Sequence, residues 1–176
     1  MAIILGVDPG LTRCGFGVIT KDLTVLEFGL VQTPAGMNPR DRVGQVSVAL
    51  EELISKYKPN LIGLERVFAQ ANLRSVMGVA QISGALMAIA HRHNIPLEFF
   101  TPSEVKLAVA GHGRADKAQV GDMVARTLKL TEVPKPADVA DALAVAITAS
   151  KRSSGVGTNA QQKWVAAAKA ANRKVG

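Results

Sequence analysis

Residues 3–10, Ile3-Ile4-Leu5-Gly6-Val7-Asp8-Pro9-Gly10, set how the rest of the chain is read. A short apolar run stops at Asp-Pro-Gly, which is turn chemistry, so the chain opens with a strand. Cys14 to Thr20 and Val25 to Thr33 continue as two more strands, and together they make an antiparallel meander. Beyond the meander the period changes. Asn38-Pro39-Arg40-Asp41 supplies a cap, a proline at the first helical position and an acid in the first turn. A helix follows from about Pro39 to Lys56, with Val43, Val46, Leu50, Leu53 and Ile54 on one face. Pro59 ends it, and Leu61-Ile62-Gly63-Leu64 is a fourth, buried strand. The stretch from Asn72 to Asn94 reads as helix despite Gly78 and Gly84, and Pro96 to Phe100 as a short fifth strand. Thr101-Pro102-Ser103-Glu104 and Asp116-Lys117-Ala118-Gln119 are capping boxes that open two shorter helices, the second reaching about Leu130. A last helix runs from Ala137 to Ser150. Strands, then helices alternating with strands, predict a mixed sheet with helices on its faces, an α/β fold; the strand order is not readable.

The bulk numbers bound the answer. A chain of 176 residues fits one domain with a real core, here residues 1–150, followed by a basic, flexible tail over 151–176. Ser153-Ser154-Gly155-Val156-Gly157 has linker composition. The tail carries six basic residues and no acidic one, so of the net charge of +7 only +1 belongs to residues 1–150. That tail favours a polyanion but does not identify one. No apolar run is long enough to span a bilayer, and Ile3-Ile4-Leu5 lacks a basic leader, so neither a membrane anchor nor a signal peptide is expected. The single cysteine, Cys14, reads as a small core residue in a reducing compartment, the cytoplasm.

The informative residues are acids in apolar company. Asp8 closes a strand, where Asp-Pro-Gly turn chemistry explains it as readily as a site does. Glu65 ends the strand Leu61-Ile62-Gly63-Leu64, where α/β sheets bind ligands, though a surface glutamate is an equal reading. Asp138 and Asp141 are the only charged residues between Ala137 and Ser150, and their spacing puts them on one helix face that Val145 and Ala149 continue. Asp138 could merely complement the helix N-terminus, but Asp141 lies a turn deeper. Two unpaired carboxylates cost several kcal/mol each, as a rough estimate, unless a cation compensates them. No base of the same helix lies near enough, and a divalent ion would serve both. An all-oxygen set suits Mg²⁺ or Mn²⁺ rather than zinc, and with several carboxylates two ions become possible. His91, His93 and His112 read as ordinary polar residues.

Ile4-Leu5-Gly6-Val7-Asp8-Pro9-Gly10, Leu64-Glu65-Arg66-Val67-Phe68 and Ala137-Asp138-Val139-Ala140-Asp141-Ala142-Leu143-Ala144 resemble blocks of the RuvC crossover-junction endodeoxyribonucleases. Thr101-Pro102-Ser103-Glu104-Val105-Lys106 and Ala115-Asp116-Lys117-Ala118-Gln119-Val120 fall in the same family's order, and the resemblance covers roughly residues 1–150. It implies a ribonuclease-H-like fold, a five-stranded mixed sheet with helices on both sides. It also implies that Asp8, Glu65, Asp138 and Asp141 are catalytic and hold Mg²⁺, with Mn²⁺ as a substitute and two ions per site when substrate is present. The implied substrate is a four-way (Holliday) DNA junction, nicked symmetrically by a homodimer to leave 5′-phosphate and 3′-hydroxyl ends, with a branch-migration motor as partner. Lys106 and Lys117 match family lysines that serve DNA binding and catalysis; each lies in the first turns of a capped helix, where backbone N–H groups favour phosphate. Phe68 matches an aromatic residue used near the junction, where stacking is worth about 1–3 kcal/mol per base. Arg66 and Arg74 are candidates to line the same groove, and the apolar helix around Gly78 and Gly84 is a candidate dimer contact.

Three other readings compete. An actin-like ATPase also opens with an acid and glycines, but needs two such domains. A nuclease for RNA–DNA hybrids or linear DNA would use the same acids. A non-catalytic DNA-binding module would have no need of Asp138.

Overall fold

The computed structural model describes residues 1–66 and 73–153, with the backbone alone for residues 73–75. Its elements follow in the expected order: β1 (Ile3–Asp8), β2 (Arg13–Thr20), β3 (Val25–Gln32), α1 (Pro39–Tyr57), β4 (Leu61–Glu65), α2 (Leu73–Arg92), β5 (Leu97–Phe100), α3 (Pro102–Ala110), α4 (Lys117–Thr127) and α5 (Ala137–Ser153). One five-stranded sheet has the order β3-β2-β1-β4-β5. The meander β1-β2-β3 is antiparallel, while β4 lies parallel to β1 and β5 parallel to β4. The sheet is therefore mixed, and its parallel half brings the carboxyl ends of β1 and β4 side by side.

Strand alternation sorts the sheet's side chains into two sets. Leu5, Val7, Cys14, Phe16, Val18, Ile62 and Leu64 join one buried cluster with Val46, Leu50 and Ile54 of α1 and Ile82, Leu86 and Ile89 of α2. Ile4, Ile19 and Leu61 join a second with Val105 and Val109 of α3, Val120 and Val124 of α4, and Leu143 and Ile147 of α5. Helices thus cover both faces, as expected.

The second face is unusual in how closely α5 approaches it. A Cβ on Gly15 would lie 2.0 Å from the carbonyl oxygen of Asp138, and one on Gly6 would lie 2.3 Å from that of Ala142. Gly17 sits under Leu143, and Gly63 under Val145 and Ala149. Glycine is required at Gly6 and Gly15, where a Cβ would meet helix backbone and force helix and sheet apart. The helix answers with small residues of its own, and Val139 through Ser150 are buried apart from Asp141.

The caps are as the sequence predicts. Asn38 accepts from the Arg40 amide at 2.9 Å, and Thr101–Glu104 and Asp116–Gln119 form reciprocal capping boxes. Two boundaries differ. Helix α4 ends at Thr127, short of Leu130, because Lys129 turns into the left-handed region at φ 54°. Helix α5 continues past Ser150 to Ser153, so Ser153 is helical rather than part of a linker. Tertiary contacts hold that last turn. Lys151 donates to the Ala108 carbonyl at 2.6 Å, and the Arg152 guanidinium lies 3.4 Å from Glu98 and 5.4 Å from the Phe100 ring centroid. The tail from residue 154, with Trp164, lies outside the described residues. Among the described residues no helix is long and apolar enough to cross a membrane.

Candidate active site

The alternation that builds the core also aims the acids. In β1 the residues facing α5 are Ile4, Gly6 and then Asp8; in β4 they are Leu61, Gly63 and then Glu65. Asp8 and Glu65 thus end neighbouring parallel strands on the face that α5 covers. Asp8 is in register with Gly15, and Gly15 lies against the backbone of Asp138. One turn on, Asp141 shares that helix face, whose continuation through Val145 and Ala149 is wholly buried over Gly63. Helix face and strand ends converge, so all four sequence-selected acids, Asp8, Glu65, Asp138 and Asp141, belong to one cluster.

Their electrostatics report the crowding. Burial, then the charges of Glu65, Asp141 and Asp138, push the Asp8 carboxyl from 3.8 up to about 8, with Lys117 opposing. Burial and then Asp141 raise Glu65 from 4.5 to about 7, against the pull of Lys117 and Lys106. Burial is the larger cause in both, and neighbouring carboxylates add to it.

Within their own helix the sequence offers no base near enough to compensate Asp138 and Asp141. Tertiary structure supplies one to each. The Arg13 guanidinium donates to Asp138 at 2.6 Å, and the Lys117 ammonium donates to Asp141 at 3.2 Å. Asp141 in turn raises the Lys117 pKa, first through its charge and then through the hydrogen bond. Neither pair is sealed: the side chains keep 44% and 27% of their exposure in the first pair, and 78% and 25% in the second. Pairs this wet contribute about 0–1 kcal/mol and separate readily. With all four acids ionised, Arg13, Lys117 and the more distant charge of Lys106 still leave carboxylates in excess.

Arg13 was not visible as a site residue, because its partner is 125 positions away in the chain. The available signal was a lone base in the short turn after Asp8. Arg42 was missed as well. It is buried at 8% exposure, donates from Nε to the Thr33 hydroxyl at 2.9 Å, and also donates to the Thr12 hydroxyl. The Thr33 hydroxyl donates to the Leu11 carbonyl, so Arg42 and Thr33 together clamp the turn that follows Asp8.

The remaining sequence-selected residues divide. Lys117 opens α4 and meets the cluster directly; Lys106, in α3, acts on Glu65 through its charge. Arg66 turns to the other face, with its guanidinium 5.5 Å from the Phe99 ring centroid. Arg74 is described by its backbone alone, as part of α2, and Phe68 lies outside the described residues. His93 is an ordinary polar residue, 3.0 Å from Glu51.

The donor set fits a hard divalent cation. All four groups are carboxylates, the hard oxygen donors that such an ion takes. Burial pushes the Cys14 thiol up to about 12, so it offers no thiolate to a softer metal.

A family model described as "Crossover junction endodeoxyribonuclease RuvC" matches residues 4–149 of this chain. A protein of that description from Frankia alni is 51% identical over 148 residues, spanning 82% of this chain and 75% of its own length. Its counterpart from Saccharopolyspora erythraea is 46% identical over 175 residues, spanning 97% and 88%. Among solved structures, Thermus thermophilus RuvC in complex with Holliday junction substrate matches with a TM-score of 0.79 at 32% identity, over 84% of this chain and 92% of that one.

Proposed function

This chain belongs to the RuvC family of crossover junction endodeoxyribonucleases, which resolve Holliday junctions, and we propose that Asp8, Glu65, Asp138 and Asp141 are the centre with which it does so. The observation that carries this reading is the convergence of four carboxylates from the ends of β1 and β4 and one face of α5. Those carboxylates would hold Mg²⁺, with Mn²⁺ as a substitute, two ions per site once DNA is present. When bound, such ions supply Lewis acidity for in-line hydrolysis of a phosphodiester, leaving a 5′-phosphate and a 3′-hydroxyl.

The chain's own residues do the rest. Strand ends and helix fix the carboxylates on a rigid base, which preorganises the charge. Lys117, at the amino end of α4, and Lys106 in α3 neutralise the backbone phosphates that approach the acids. Phe68 stacks on a base near the branch point, while Arg74 binds flanking phosphates. A homodimer presents two such centres to one junction, so that two nicks fall symmetrically. Helix α2 offers a surface for that contact, since Met77 and Met87 are 55% and 48% exposed on it. A branch-migration motor is the further partner that brings junctions to the dimer.

The test is cleavage of a synthetic four-way junction beside a linear duplex and an RNA–DNA hybrid, in Mg²⁺, Mn²⁺ or EDTA. Paired, metal-dependent nicks confined to the junction are expected, and Asp138→Asn should abolish them while junction binding persists. Cleavage undiminished in Asp138→Asn would overturn the site assignment; sedimentation as a monomer with the junction bound would overturn the dimer.

A further inference from the structure

Arg13 is the cation in closest contact with the cluster, and its position has a consequence for substrate handling. It is the first residue of β2, just past the turn that Asp8 opens. Among the described residues its guanidinium donates to Asp138 alone, through one nitrogen at 2.6 Å. A guanidinium has five N–H donors in a planar fork, and that fork matches the oxygens of a phosphate as well as those of a carboxylate. The side chain is 44% exposed, so a phosphate arriving from solvent has access to it.

The charge balance says when the arginine is needed where. With no divalent ion, Asp138 is paired to Arg13 and Asp141 to Lys117. Two divalent ions would neutralise all four carboxylates by themselves, leaving the guanidinium with no charge to satisfy on Asp138. A phosphodiester drawn to the site brings a negative charge back within its reach.

We propose that Arg13 exchanges partners during the reaction: it holds Asp138 while the centre lacks divalent ions, and passes to a non-bridging oxygen of the junction phosphate once they are bound. Resting on the carboxylate centre proposed above, this assigns two separable duties to one side chain. Arg13 competes with the ion for Asp138, so removing it strengthens ion binding. Arg13 also binds the substrate phosphate, so removing it weakens junction binding. A residue that merely positioned Asp138 would weaken ion binding when removed, and a solvated ion pair of no consequence would change neither.

The experiment measures both affinities directly, without turnover. Mn²⁺ binding to the DNA-free protein is titrated by calorimetry, and junction binding is measured in Ca²⁺ with a non-cleavable phosphorothioate junction. Arg13→Ala is expected to bind Mn²⁺ several-fold more tightly and the junction roughly tenfold more weakly, the loss of one charge-assisted contact. Arg13→Lys keeps the charge without the fork, so it should restore wild-type Mn²⁺ binding while recovering only part of the junction affinity. Since Arg13 is exposed, both variants should fold, which thermal unfolding checks. Weaker or unchanged Mn²⁺ binding in Arg13→Ala would overturn the proposal, as would undiminished junction affinity. Absence of Mn²⁺ uptake by the wild-type chain would instead remove the carboxylate centre, and this proposal with it.

Discussion

Replacing Asp8 by asparagine should make the ion-free protein more stable while destroying its activity. Moving the Asp8 carboxyl from 3.8 to about 8, at about 1.4 kcal/mol per pH unit, sets on the order of 6 kcal/mol against its ionised form. Asparagine removes the charge but still loses hydration on burial, so a net gain of about 2–3 kcal/mol is expected. The sign fixes the pH window. Because the folded-state value is raised, the native state keeps a proton that the unfolded state releases between pH of about 4 and 8. Stability is therefore highest near the bottom of that window, falls as pH rises through it, and levels off above. Glu65, raised from 4.5 to about 7, adds a loss of the same sign. Urea unfolding in EDTA at pH of about 4.5 and 8.5 reads both effects. The wild type should weaken at the higher pH, and the advantage of Asp8→Asn should be small at the lower pH and large at the higher. Adding Mg²⁺ at the higher pH should restore the wild type and do little for the variant. A variant advantage equal at the two pH values, or none at either, would refute the link between burial, charge crowding and ion demand.

Three further outcomes follow from the same geometry. Gly15→Ala sets a methyl against the Asp138 backbone and should cost about 1–3 kcal/mol in urea unfolding while sharply reducing junction cleavage. Lys117→Ala removes a cation that lowers both Asp8 and Glu65, so the acidic limb of the cleavage pH profile should move to higher pH, and Lys117→Arg should move it back. Arg42→Met leaves the Thr12 and Thr33 hydroxyls without their donor, at about 1.5–3 kcal/mol. Faster exchange of the Thr33 amide, which donates to the Thr12 carbonyl at 3.1 Å, would locate that loss in the turn after Asp8.

Local chemistry was legible because it is written in adjacent residues. Thr101 with Glu104 and Asp116 with Gln119 announce their helices, and Asp-Pro-Gly announces the end of β1. The acids were legible for a related reason: a carboxylate in apolar company is anomalous within a few residues of itself, as Asp141 is among alanines and valines. Pairing between distant segments was not. Nothing in β1 or β4 alone says that Val7 lies beside Leu64, yet that register is what brings Asp8 to Glu65. The compensating bases failed to show for the same reason, since the partners of Asp138 and Asp141 come from other elements, and Lys117 was noticed only through the family blocks. Arg42 shows the limit in the other direction. A base on a helix reads as solvated, and only the threonine hydroxyls that receive it explain its burial.

The glycines beneath α5 act as a caliper. Gly6 and Gly15 have no side chain, so there backbone meets backbone and the gap between helix and sheet has a single hard setting. Two jaws carry the acids: one bears Asp8 and Glu65, the other Asp138 and Asp141. An instrument closed on bare metal cannot drift, whereas one closed on flexible side chains would read differently with each rotamer. The span between the two pairs of acids is thus gauged by atoms that the sequence leaves out.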